Sequence, residues 1–230
     1  MDEVLFFLAE NLSKRNRYDE DAMKAYRALV QRYPQSRFVP DCWMAFGEYY
    51  FEKANKQDRI GNLRKAMEAY RRAASYQESS VYGYAMYKQA WVHYNLGEWA
   101  EALDLFRAVI YFGELPTSSI PADRKLALVK EAKKDYVRTY SHVGSSEGAA
   151  DEFRRVGGEA GWMDMLKSLA MVVLGLLCGI VGTDVNSGVP RFTFGFFELT
   201  DGIGFVVVAV GVFAVGEIVS NLGETEVRSV

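Results

Sequence analysis

Cysteine, histidine and proline are all scarce in this chain of 230 residues, with two, two and five copies respectively. Cys42 and Cys178 lie far apart and neither belongs to a C-x-x-C motif, so a disulfide framework and a zinc site have no support. His93 and His142 stand without an obvious nucleophile beside them. There is no G-x-S-x-G string and no glycine loop that could cradle a phosphate. The expectation is therefore a protein that is not an enzyme, with no cofactor and no metal. Charge of one sign is also missing: the net charge is -3 and no basic stripe appears, which argues against a nucleic-acid partner. The N-terminus carries no export signal. Its apolar run, Val4 to Ala9, is too short and follows Asp2 and Glu3 instead of basic residues. The front half is thus expected in the cytoplasm, unless the sequence lacks its true beginning.

A mean hydropathy of -0.10 averages two unlike parts. Residues 161–230 contain the basic groups Lys167, Arg191 and Arg228 and the acidic groups Asp164, Asp184, Glu198, Asp201, Glu217, Glu224 and Glu226. Removing these three and seven from the totals of 27 and 30 leaves 24 basic and 23 acidic groups in residues 1–160. The front part is densely and evenly charged, as a helical domain facing water should be.

A repeat runs through that front part. Ala22 is followed one turn later by Tyr26, Ala66 by Tyr70, Ala102 by Phe106, and Ala149 by Phe153. The small residue lets two helices approach, and the aromatic fills the gap to the next pair. First-helix signals precede them: Trp43, Phe46, Gly47 and Tyr50, then Tyr87, Ala90, Trp91 and Tyr94. Pro34 and Pro116 stand near helix ends, where a helix must stop. This pattern resembles the tetratricopeptide repeat, most clearly at Gly97-x-Trp99-x-x-Ala102-x-x-x-Phe106, and its degenerate form is similar to repeat proteins of bacterial envelope machinery. The alanines are spaced 44, 36 and 47 residues apart, against about 34 in the ideal unit. The excess is expected in two loops, residues 53–61 and 113–122.

Gly157-Gly158 after Arg154-Arg155 reads as a helix stop. Trp162 to Ala170 then begins like another first helix, but from Leu169 the pattern turns apolar on all sides, the mark of a buried or membrane helix. No charge occurs from Ser168 to Thr183, and Gly175 and Gly179 have the spacing of closely packed membrane helices. The run ends on Thr183-Asp184-Val185-Asn186-Ser187-Gly188, and a second apolar run covers Gly202 to Gly216. The stretch Gly182-Thr183-Asp184, Ser187-Gly188 and Pro190-Arg191-Phe192-Thr193-Phe194-Gly195, continuing to Gly216-Glu217, resembles the large permease subunit of the tripartite tricarboxylate transporters, the TctA family. That resemblance implies carboxylate transport, with an extracytoplasmic solute-binding protein, a small membrane subunit and other permease helices as partners. It covers about the last third of the chain, and permeases of that family are several times longer.

The expected fold is all-α: a tetratricopeptide-like solenoid over residues 1–157, a junction at 158–168, a two-helix transmembrane hairpin within 169–222, and a tail at 223–230. Both apolar runs are shorter than the roughly 20 residues of a full span, so a hairpin buried in a soluble core is the alternative. The basic residues Arg154, Arg155 and Lys167 place the near side in the cytoplasm of a bacterium, with the hairpin in its inner membrane.

Two sets of residues are candidates for function. Tyr84, Tyr87, Trp91 and Tyr94 recur at steps of three and four with Asn95 beside them, and in the repeat family such positions line the concave face where protein partners bind. Met44 and Glu48 would extend this groove on one side, and Lys134 and Arg138 on the other. An aromatic stripe at helical spacing can equally be core. In the second part, Thr183, Asp184, Asn186, Ser187 and Arg191 are polar groups beside membrane depth, where such groups are costly. Arg191 could hold a substrate carboxylate and the oxygens could hold a cation; alternatively, they turn the chain with Arg191 paired to Asp184. The functional expectation is a membrane-anchored interaction module touching lipid and a protein partner, with a transporter component as the alternative.

Overall fold

The computed structural model describes residues 1–15, 20–115, 122–184 and 187–203. The chain divides into two compact units, Met1–Ser168 and Leu169–Val230.

The first unit is built from helices that pack on their chain neighbours: α1 (Asp2–Arg15), α2 (Glu20–Arg32), α3 (Val39–Lys53), α4 (Arg59–Ala74), α5 (Tyr82–Leu96), α6 (Trp99–Glu114) and α7 (Ala122–Val143), with the start of α8 (Ala149–Gly179) set against α7 through Phe153 on Tyr136 and Tyr140. Local chemistry sets their ends. Pro40 occupies the first turn of α3, where no amide hydrogen is missed, and Lys53 sits in the last turn. Asp58 caps α4 by accepting from the Gly61 amide at 3.2 Å. Gly97 closes α5 with φ 79°, which lets the Glu98 amide donate back to the His93 carbonyl at 3.0 Å.

The four alanine–aromatic pairs lie on α2, α4, α6 and α8, and none of these eight side chains is more than 1% exposed. Each buried tyrosine of these pairs keeps its hydroxyl satisfied by a glutamate on the partner helix. Tyr26 donates to Glu10 at 2.5 Å, and Tyr70 to Glu48 at 2.8 Å. The fourth pair reverses the roles, with Tyr136 on α7 donating to Glu152 on α8 at 2.5 Å. Burial pushes all three hydroxyls above the ordinary tyrosine range. The extra length between repeats is divided differently from expectation. Part of it forms the 54–58 connection, but part is helix, because α7 runs for 22 residues.

Helix α8 contains a break. Gly158 has φ 67° and ψ 177°, so the glycine pair ends one helix and a second continues to Gly179. A β-carbon on Gly157 would stand 3.0 Å from the Trp162 amide nitrogen, which only glycine avoids.

In the second unit the described residues hold the apolar end of α8, then a feature outside the all-α expectation. Strand β1 (Gly182–Thr183) pairs antiparallel with β2 (Pro190–Arg191), Gly182 opposite Arg191 and Thr183 opposite Pro190. A 3-10 turn follows at Phe197–Leu199. The polar cluster that ends the apolar run thus folds as a short ladder. Among the described residues, α8 is the one helix long and apolar enough to cross a membrane; its most apolar window has mean hydropathy 1.5 and is 6% buried. A two-helix hairpin is not resolved by this, since the second apolar run from residue 204 onward and the 223–230 tail lie outside the described residues.

Candidate functional site

The aromatic stripe of α5 runs along its seam with α7. Tyr87 is half-buried and donates its hydroxyl to Asp135 Oδ2 at 2.6 Å. Trp91 meets Phe106 edge-on at 6.1 Å between ring centres, and the Arg138 guanidinium lies 5.8 Å over its ring. Tyr94 shares a hydrogen bond with His142 Nε2 at 3.2 Å, and the His142 ring stacks on Trp99 at 4.1 Å. Tyr84 is 43% exposed and stacks on Tyr87 at 6.0 Å, so it carries the stripe out to solvent. Asn95 accepts from Arg59 at 3.0 Å and donates to the Trp91 carbonyl at 2.8 Å.

The remaining predicted residues fall in different settings. Lys134 is exposed and paired with Glu131 at 2.8 Å. Glu48 accepts from Tyr70 and pairs with Lys88 at 3.1 Å. Met44 is buried in the cluster that contains Leu63, Ala66 and Tyr70, so it presents no face to a partner. The structure therefore brings Tyr84, Tyr87, Trp91 and Arg138 together and leaves Met44 in the core.

Asp135 was not singled out in the sequence, where it ends the mixed charge run Lys130 to Asp135. The run looks like a solvated face, yet Ala132 and Asp135 are buried, and Lys133 reaches Glu114 at 3.0 Å. Burial raises the Asp135 carboxyl above its ordinary value, against the opposing pull of the Tyr87 hydroxyl and the Arg138 charge 3.6 Å away. Asp135 thus anchors the Tyr87 hydroxyl and stands as an ion-pair neighbour of the exposed Arg138.

In the second unit, Asp184 organises the turn. Its side chain is 8% exposed and paired with Arg191, while the Ser187 amide donates to Asp184 Oδ1 at 3.0 Å. The backbone repeats the closure: Gly188 N donates to Asp184 O at 2.8 Å, and Asp184 N to Val189 O at 3.0 Å. Thr183 donates both its amide and its hydroxyl to the Thr200 carbonyl, at 2.9 and 2.8 Å. Asn186 lies outside the described residues. Beside this turn Phe192, Phe194, Phe196 and Phe197 are all exposed, the last at 82%.

Comparison with known proteins also finds two parts, with the second beginning inside the first compact unit. Models of the tetratricopeptide repeat match residues 3–36 and 51–119, covering α1–α2 and α4–α6. The model of the tripartite tricarboxylate transporter TctA family matches residues 153–229. The N-terminal part carries tetratricopeptide repeats, and residues 153–229 carry a TctA family domain. Phe153 thus closes the fourth alanine–aromatic pair and opens the TctA match. An uncharacterized 52.8 kDa protein of Agrobacterium vitis, from the TAR-I ttuC' 3' region, is 56% identical over 66 residues, which are 29% of this chain. The match spans only 13% of that protein. No solved structure matches the chain.

Proposed function

We propose that this protein is a membrane-anchored interaction module without catalysis, in which the tetratricopeptide unit recruits a protein partner and the TctA-like part holds the chain in a bacterial inner membrane. One observation carries the reading: the helix that follows the break at Gly158 and ends at Gly179 lies in a window of mean hydropathy 1.5 that is only 6% buried. Apolar surface on that scale is stable in lipid and unstable in water. The pair of apolar runs expected in 169–222 makes a hairpin with both ends in the cytoplasm. The partner surface is the concave side of α5 and α7, with Tyr84 as the exposed aromatic and Lys134 and Arg138 as flanking cations.

A second reading is favoured by the TctA match itself: the segment is a component of a tricarboxylate permease that docks on other permease helices and works with an extracytoplasmic solute-binding protein. Arg191 and Asp184 then serve substrate or cation once further helices surround them. The two readings separate in living bacteria. The full chain carrying a fluorescent tag is expected at the cell periphery, and a chain ending at Gly158 throughout the cytoplasm. A diffuse full-length signal overturns both readings. Recovery of the full chain in stable association with a permease favours the second.

A further inference from the structure

A different surface, on the far side of α3 from Glu48, holds a cleft of about 640 Å³ between α2 and α4. At about 100° per residue, Glu48 stands roughly 140° around the helix from Trp43, so this cleft and the α5–α7 surface face apart. Its floor is apolar: Val30 of α2 and Trp43, Phe46 and Tyr50 of α3. Its rim is cationic, with Arg27 from α2 and Arg64, Lys65 and Arg72 from α4, against the one carboxylate of Glu68. Glu68 is already engaged by Arg72 at 2.8 Å. Arg27 and Arg64 are exposed and make no ion pair among the described residues. An adjoining cleft of about 320 Å³ shares Arg27, Phe46, Tyr50 and Lys65, so the depression is elongated.

We propose that this cleft docks an acidic peptide segment that carries one bulky apolar side chain, seated on Trp43, Phe46 and Tyr50 while flanking carboxylates meet Arg27 and Arg64. Charge complementarity selects the acid, and the recessed apolar floor selects the anchor. The elongated shape fits a chain better than a small anion. A flat bilayer cannot reach a floor sunk below its cations.

The test uses the full chain in neutral detergent and measures binding by fluorescence anisotropy. The probes are short labelled peptides of alternating Asp and Glu around a central Phe, the same with Ala in place of Phe, and the Lys counterpart with Phe. A thymidine oligonucleotide of similar length is the fourth probe. The acidic Phe peptide is expected to bind best, and the double variant Arg27→Glu, Arg64→Glu to weaken it about tenfold or more. Both arginines are exposed, so an unchanged melting curve shows that the variant is folded. Tyr84→Ala, on the other surface, is expected to leave this affinity unchanged. Failure of the acidic Phe peptide to bind, equal binding of the Ala peptide or the oligonucleotide, or unchanged affinity in the double variant overturns the proposal.

Discussion

The ring of Tyr70 occupies the space that a β-carbon on Gly47 would need, so α3 and α4 meet at that point with only a hydrogen between backbone and ring. Tyr70 is fully buried and anchored through its hydroxyl to Glu48, so it has nowhere to swing. Gly47→Val is therefore expected to destabilise the first unit by about 3 kcal/mol through overpacking. Denaturant unfolding followed by helical circular dichroism measures this. A variant as stable as the parent would contradict the close approach.

Asp135 gives a pH signature. Its carboxyl is raised in the folded chain, so between its ordinary value and the raised one the folded state binds more protons than the unfolded. Stability contributed there falls as pH rises through that acidic window and is constant above it. Asp135→Asn removes the buried charge and keeps an acceptor for Tyr87. Its melting temperature at pH 7 is expected to equal or exceed the parent's, with a shallower acid profile. Asp135→Ala leaves the Tyr87 hydroxyl unpaired and is expected to cost about 1–3 kcal/mol. An Asn variant less stable than the Ala variant would count against this account.

Along α5 the structural and the recognition roles separate. Trp91 is half-buried against Phe106, so Trp91→Ala is expected to cost about 3 kcal/mol. Tyr84 is exposed, and Tyr84→Ala should cost under about 1 kcal/mol while reducing capture of the partner recovered by cross-linking to the parent chain. Unchanged capture by a folded Tyr84→Ala variant would remove Tyr84 from the recognition surface.

Sequence made the repeat legible because the alanine–aromatic spacing of one turn is local, and the apolar switch at Leu169 is local too. The glycine pair also announced its break, since φ 67° at Gly158 is glycine's region. What stayed hidden depends on partners distant in the chain. Tyr26 finds Glu10 16 residues away, Tyr70 finds Glu48 at 22, and Tyr87 finds Asp135 at 48. Periodicity places each residue on a face but does not say which polar groups meet across helices. Met44 shows the same limit: its position suits the groove, but the packing of α3 on α4 draws it into the core. The β1–β2 ladder is two residues per strand, too short for any alternation to reveal.

For the second unit, the pairing of Asp184 with Arg191 sets the expectation. Within this chain the pair closes a turn, and a substrate path through a bilayer needs protein walls around its polar groups. The chain reconstituted alone into vesicles is expected to show no citrate or related carboxylate flux, and Arg191→Gln to alter only insertion or turn stability. Flux that is present in the parent and lost in Arg191→Gln would make transport the primary reading.

The central claim is that the apolar part following Ser168 lies in lipid while the repeats stand outside it. Alkaline carbonate extraction of bacterial membranes tests this directly, with the full chain and a chain ending at Gly158 compared side by side. The account predicts that the full chain stays in the membrane pellet, and that the shortened chain is soluble, mostly helical and cooperative on melting. Full-length protein released by carbonate and folded in detergent-free buffer would contradict it.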